Sequence, residues 1–141
     1  DGTAVFDGLM ITHQQLGYPF TVGHQFVRKP FKGDNPCHTH NFHEVLAWYG
    51  GNPDDPDEFG GEVVFFMGPE LEKYVFTRPT LVYLPPELPH GPLEITRVDS
   101  PIIQLEIMLA GAEGTREAYF EEDKGFDPHK VMNFETIPYK G

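Results

Sequence analysis

The sequence predicts an all-β fold, either an antiparallel sandwich or a barrel. Fourteen prolines and fifteen glycines among 141 residues leave few stretches long enough for an uninterrupted helix. Between these breaks lie short segments rich in Val, Ile, Phe and Tyr, the residues that strands favour. Short strands at such close spacing are typical of antiparallel sandwiches and barrels.

The predicted strands follow one another from residue 19 to residue 109. In chain order they are PFTVGHQFV (19–27), HEVLAWYG (43–50), GEVVFFMG (61–68), KYVFT (73–77), TLVYLP (80–85), LEITRV (93–98) and IIQLEIML (102–109). From residue 111 onward the alternation stops and charged residues become frequent, which predicts a C-terminal tail that is irregular or forms one helix at 114–124. We expect a single domain over 1–141, with a barrel at about 19–109 and a tail at about 111–141.

Charge and cysteine content exclude several classes of function. Ten basic and 22 acidic residues give a formal net charge of −12, which repels nucleic-acid phosphates and anionic membrane surfaces. The apolar runs are too short to span a bilayer, and no basic-then-apolar signal segment opens the chain. Cys37 is the only cysteine, so no internal disulfide forms and a reducing cytoplasm is expected. A small molecule is the expected partner.

The segment CHTHNFHEVLAWYGG, residues 37–51, concentrates histidines beside a glutamate. If residues 37–48 form one extended strand, side chains alternate between two faces, and one face carries His38, His40, Glu44, Leu46 and Trp48. A carboxylate buried beside histidines is costly unless its charge is compensated, and a divalent cation would compensate it. His90, which follows a strand and a proline-rich turn, is the best candidate for a fourth ligand.

Three imidazole nitrogens and one carboxylate oxygen suit Fe(II), Mn(II), Ni(II), Co(II) or Zn(II), with up to two octahedral positions left for water or substrate. Such an open coordination sphere indicates chemistry rather than a purely structural metal. The same alternation places His43 and Cys37 on the opposite face. We expect His43 to be a surface or interface imidazole and Cys37 to be a small buried or interfacial residue.

Other residues have two interpretations. Leu46 and Trp48 form ordinary core or wall a substrate pocket. Glu94 shares the parity of His90, so it is either a catalytic general base or part of a solvated face. Gln104 and Glu106 alternate against Ile103, Leu105 and Ile107, so each either belongs to an outward solvated face or acts near the metal as a general base or hydrogen-bonding contact. For Glu106 the outward face is favoured.

The run from His38 to Gly51 resembles the first motif of the cupins, in which a His-x-His pair is followed by a glutamate and then, after six further residues, by a glycine. Pro85 and His90 match the second cupin motif. Glu87 replaces the glycine of that motif, and Glu94 stands where asparagine is usual. Gly33 lies one residue nearer to His38 than in the family pattern.

This resemblance implies a double-stranded β-helix, or jelly-roll barrel, with one metal bound by His38, His40, Glu44 and His90, and a homodimer. Cupins include dioxygenases, isomerases, decarboxylases, lyases and binding proteins, so the fold alone does not select a reaction. We expect a metal-dependent enzyme of small-molecule metabolism, an oxygenase with iron being favoured. An isomerase or lyase, a non-catalytic ligand-binding module and a metal-free barrel are the alternatives. The pocket face, with few cations, favours a neutral or phenolic substrate.

Overall fold

The structure, a computed structural model, describes residues 2, 4–33 and 36–109 in full, and the backbone of two further strands at 117–121 and 125–132. One short helix, α1 (His13–Leu16), lies in this part of the chain. The strands are β1 (Phe6–Ile11), β2 (Thr21–Val27), β3 (Phe31–Lys32), β4 (His38–His40), β5 (Glu44–Gly50), β6 (Gly61–Met67), β7 (Glu72–Phe76), β8 (Thr80–Leu84), β9 (His90–Val98), β10 (Ile102–Met108), β11 (Glu117–Glu121) and β12 (Gly125–Met132). Within these residues no helix is long and apolar enough to cross a membrane.

The strands form two antiparallel sheets. The five-stranded sheet has the order β1-β2-β10-β5-β8, and the seven-stranded sheet has the order β12-β11-β4-β9-β6-β7, with β3 paired to β9. Strands adjacent in sequence therefore often lie in different sheets, as in a jelly roll. The all-β jelly-roll prediction is confirmed.

The hydrophobic core lies between the two sheets, where strands alternate buried and exposed positions. Its buried residues are Val27, Leu46, Trp48, Phe59, Val63, Phe65, Val82, Leu84, Ile95 and Ile102. Trp48 is fully buried, and its indole N–H donates a 2.9 Å hydrogen bond to Oε1 of Gln104. The buried indole nitrogen therefore has the acceptor it requires.

The outward orientation predicted for Glu106 is wrong, and Gln104 also faces inward. On β10 the buried positions are Ile102, Gln104 and Met108, and Glu106 shares their parity. The apolar run Ile103, Leu105 and Ile107 faces the outer side of the five-stranded sheet and is half-buried. Alternation alone selected the wrong face because the inner face carries hydrogen-bonded polar groups and the outer face is apolar.

The terminal regions also differ from the sequence-based expectation. β1 precedes the range predicted for the barrel and pairs with β2, and α1 begins at a capping box formed by Thr12 and Gln15. The helix predicted at 114–124 is wrong over Glu117–Glu121, which forms β11; the rest of that range lies outside the described residues. β11 pairs with the edge of β4, so its backbone completes hydrogen bonds that a helix would leave unmade.

Candidate metal centre

The histidine segment passes from one sheet to the other. β4 belongs to the seven-stranded sheet and β5 to the five-stranded sheet, and the chain bends at residues 41 and 42. The assumption of one extended strand over residues 37–48, on which the alternation argument was based, therefore does not hold. The predicted side-chain grouping survives because both strands turn the relevant side chains into the space between the sheets, where His40 and Glu44 are 3% and 6% exposed.

His90 is brought to this segment by sheet pairing. It opens β9, and its Cα is the antiparallel partner of His38 on β4. The ring centroids of His38 and His90 are 4.3 Å apart, and those of His40 and His90 are 4.7 Å apart. One ligand nitrogen from each of the three histidines can be chosen so that all lie within 4.8 Å of one another. Two segments separated by some fifty residues of chain thus meet at one point.

Backbone carbonyls fix the tautomer of each imidazole. The Nδ1 atoms of His38, His40 and His90 lie 3.0, 2.9 and 2.8 Å from the carbonyl oxygens of Pro36, Phe42 and Leu88. A carbonyl oxygen only accepts, so each Nδ1 carries the hydrogen and donates it. The lone pair of each neutral imidazole is therefore on Nε2, the arrangement that metal-binding histidines commonly show.

Glu44 lies beside two of these histidines, on a strand of the other sheet. Its Oε2 lies 2.8 Å from Nε2 of His40 and 3.6 Å from Nε2 of His90. Nε2 of His90 is buried and has no hydrogen-bond partner among the described residues. A buried polar atom without a partner is costly. Three nitrogen donors within 4.8 Å of one another, with a carboxylate beside two of them, fit a divalent transition metal, which would satisfy this atom and neutralise the carboxylate.

The surroundings keep His90 neutral. Burial lowers the pKa of His90 to about 3, and the neighbouring imidazoles of His38 and His40 act in the same direction, while the hydrogen bond to Leu88 acts against them. Phe42 stacks on His40 with 3.9 Å between ring centroids and packs with Met108. This apolar cover lowers the local dielectric, which strengthens the attraction between a cation and Glu44.

The structure separates the other candidate residues. Glu94 forms a 3.0 Å ion pair with Lys32, and it faces away from the core because its neighbours Leu93 and Ile95 pack inward. The parity argument that grouped Glu94 with His90 fails because the β6–β9 register shifts between the Phe65 and Met67 pairs. The catalytic role predicted for Glu94 thus has no support from its position.

The remaining candidate residues lie either in buried positions or on the surface. Leu46 and Trp48 are both buried in the core, and Leu46 is the nearer of the two to Glu44 along β5. A contact of either residue with a substrate stays a prediction. His43 is exposed and lies away from the three clustered histidines. Its Nδ1 atom is 2.7 Å from the hydroxyl oxygen of Tyr83. Cys37 is buried, and burial raises the pKa of its thiol to about 11.

Sequence reasoning missed Gly91. Its φ is +89°, in the left-handed region that favours glycine. A Cβ there would lie 3.1 Å from the carbonyl oxygen of Pro36 and 3.5 Å from Nδ1 of His38, the two atoms of the hydrogen bond that orients His38. The sequence signal was present, since a glycine stands between a candidate ligand and a proline.

No protein-family model and no curated protein sequence matches the chain. Solved structures do match it. A sugar phosphate isomerase of the cupin superfamily from Silicibacter pomeroyi superposes with a TM-score of 0.55 at 14% identity, covering 87% of this chain and 74% of that one. The Cupin_2 domain of an XRE family transcriptional regulator from Enterobacter cloacae gives a TM-score of 0.51 at 9% identity, covering 77% of this chain and 100% of that domain.

The chain has the cupin fold. A recombinant oxalate oxidase in complex with glycolate is a further cupin-fold neighbour, with a TM-score of 0.50 at 12% identity over 81% of this chain and 56% of that one. At these identities the likeness concerns the fold alone. An isomerase, an oxidase and a domain of a transcriptional regulator share this architecture, so the reaction has to be argued from the site.

Proposed function

We propose that this cupin-fold chain is a metal-dependent enzyme acting on a small organic molecule, and that it is an oxygenase using Fe(II). The observation that carries the proposal is the cluster of three carbonyl-oriented histidines, with Glu44 beside His40 and His90, and with Nε2 of His90 buried and without a partner among the described residues. A donor set of four leaves an octahedral ion two further positions, enough for a substrate and dioxygen.

Each residue has a defined task in this proposal. His38, His40, His90 and Glu44 would hold the metal, which supplies Lewis-acid polarisation and, as iron, redox chemistry with dioxygen. The carbonyls of Pro36, Phe42 and Leu88 keep the three imidazoles in the orientation that aims Nε2 inward. Phe42 and Met108 exclude water on the buried side, whereas the half-buried His38 marks the side from which a small molecule can enter.

An isomerase is the second candidate, because the sugar phosphate isomerase has the same fold with a TM-score of 0.55. A ligand-binding module without turnover is the third, since the fold also occurs in a domain of a transcriptional regulator. The candidate functions differ in whether the bound metal ion must be redox-active. An oxygenase requires a redox-active ion, whereas a Lewis-acid isomerase works with redox-silent Zn(II) and without air.

Nitric oxide, a dioxygen analogue, tests the oxygenase proposal without knowledge of the substrate. Anaerobic addition of nitric oxide to the iron-loaded protein should produce the EPR signal of a high-spin iron–nitrosyl species, and the His40→Ala variant is the control that should not. Absence of that signal from the iron-loaded wild type would contradict an oxygenase. In a substrate screen, anaerobic turnover by the zinc-loaded protein would assign an isomerase or lyase, and binding without turnover under any metal would assign the binding module.

The homodimer and the cytoplasmic location remain proposals. The outer face of the five-stranded sheet supports the dimer: its central cross-strand row is Leu9, His24, Leu105, Ala47 and Leu81, in which Leu9 and Leu81 are 71% and 68% exposed. A chain with a net charge of −12 approaches a second copy at lower electrostatic cost through this face, because its strand carboxylate Asp7 is ion-paired with Arg28. Light scattering should give twice 16.0 kDa, and Leu105→Glu should give the monomer.

A further inference from the structure

The inner face of the five-stranded sheet carries a row of polar side chains on β2 and β10, which we call the polar wall: Thr21, Gln25, Gln104 and Glu106. Gln104 accepts from the indole of Trp48 and donates a 3.2 Å hydrogen bond to Oε1 of Gln25. The neighbouring β5 and β8 instead present Leu46, Trp48, Val82 and Leu84. The four polar side chains are thus concentrated on β2 and β10, beside the apolar Val27, Ile102 and Met108, whereas the buried residues of β5 and β8 on this face are apolar except for Glu44.

Glu106 is the charged member of the polar wall, and it lies beside the metal centre. Met108 is the cross-strand partner of Glu44, and Glu106 precedes Met108 by two residues on the same face. Diagonal neighbours of this kind are about 7–8 Å apart in a sheet. On its other side Glu106 pairs with Gly23, where a Cβ would lie 3.7 Å from Oε2 of Glu106. The carboxylate of Glu106 therefore lies directly beside the backbone of Gly23 on the inner face.

Thr21 supplies the independent observation. It is 1% exposed, and its hydroxyl oxygen has no hydrogen-bond partner among the described residues. Its cross-strand partner is Met108, which in turn pairs with Glu44, so Thr21 lies in the same row as the carboxylate of the metal centre. A buried hydroxyl without a partner is costly unless a bound molecule completes its hydrogen bonding.

The polar wall carries no cation. Among the described residues, every lysine and arginine is exposed except Lys29, which is half-buried. Lys29 follows the end of β2 at Val27, the end opposite Thr21. Within the part of the chain that the structure describes, an anionic substrate would therefore face Glu44 and Glu106 with the metal as the only positive charge close by, which disfavours it electrostatically.

From this arrangement we infer that the substrate is an uncharged, hydroxyl-bearing small molecule. It donates a hydrogen bond to Glu106 and forms a second hydrogen bond with the hydroxyl of Thr21. The inference rests on the proposed function and narrows it to a substrate class. Oxalate and sugar phosphates, the anions in the names of two cupin-fold neighbours, are outside this class. Glu106 acts by positioning and selecting the substrate.

Catechol and salicylate form a matched pair of probes, since the second replaces one hydroxyl by an ionised carboxylate. Their dissociation constants for the zinc-loaded protein, measured by titration calorimetry, should favour catechol in the wild type. In Glu106→Gln the loss of like-charge repulsion should strengthen salicylate binding about tenfold and weaken catechol binding. Thr21→Val should weaken catechol binding severalfold. Glu62→Gln, a strand glutamate hydrogen-bonded to Thr96, is the control and should change neither.

Metal content, measured on the same samples, separates this inference from the proposed function. If the wild type holds no metal, the metal-enzyme proposal fails. If metal is held and the catechol-to-salicylate ratio is the same in the wild type and Glu106→Gln, the metal centre stands and the inference is overturned. A Glu106→Gln variant that fails to fold leaves Thr21→Val as the deciding variant, and equal catechol affinity there overturns the inference as well.

Discussion

Acidification should destabilise the metal-free protein through His90. The pKa of His90 falls from 6.5 to about 3 on folding, chiefly through burial. The unfolded chain therefore takes up a proton as the pH falls below 6.5 while the folded chain does not, so stability is lost between pH 6.5 and pH 3. At pH 5, which is 1.5 pKa units below the unfolded value, the loss is about 2 kcal/mol at 1.36 kcal/mol per unit.

The assay is urea unfolding in a chelator at pH 8 and pH 5, followed by the fluorescence of Trp48, the only tryptophan. Other groups also titrate in this range, so the test compares the wild type with His90→Asn, whose side chain does not titrate. The wild type should lose about 2 kcal/mol more than the variant between the two pH values. Equal pH dependence in the two proteins would refute the burial of a neutral His90.

Three further variants or reactions test the neighbourhood of the site. Cys37, with its pKa raised to about 11, should react with iodoacetamide at pH 8 about a hundredfold more slowly in the folded than in the unfolded protein; equal rates would show that the thiol is accessible. Gln104→Leu should cost about 2 kcal/mol in urea unfolding, because the buried indole of Trp48 loses its acceptor, and an unchanged midpoint would contradict that. Gly91→Ala should cost about 1–3 kcal/mol through the left-handed backbone and weaken metal binding through His38; unaltered metal affinity would refute the second effect.

Much of the fold was predictable because strand signals in this chain are local. The segments at 61–68, 80–85 and 102–109 each contain one observed strand with its bounds shifted by at most one residue, since Gly, Pro and Asp mark their ends. β1 and β3 were missed. β3 has only two residues, and β1 contains an aspartate and a glycine that weaken its strand signal.

The candidate site was predictable to the level of residue type but not of geometry. Spacing predicted a group of His38, His40 and Glu44, and the structure brings the two histidines together and places Glu44 beside His40. The bend between β4 and β5 is set by the packing of two sheets and leaves no periodic signal. Glu94 was misplaced because a register shift in β9 breaks parity, and such shifts arise from long-range pairing. The inward orientation of Glu106 was missed because parity fixes only relative faces.

The central claim is that His38, His40, His90 and Glu44 bind one metal ion, and metal analysis of matched histidine variants tests it most directly. His38, His40 and His43 lie within six residues of one another, yet His43 contacts Tyr83 on the outer surface. After loading and removal of excess metal, the wild type and His43→Ala should hold about one ion per chain, whereas His38→Ala and His40→Ala should hold far less. Equal metal content in all three variants, or none in the wild type, would contradict the account.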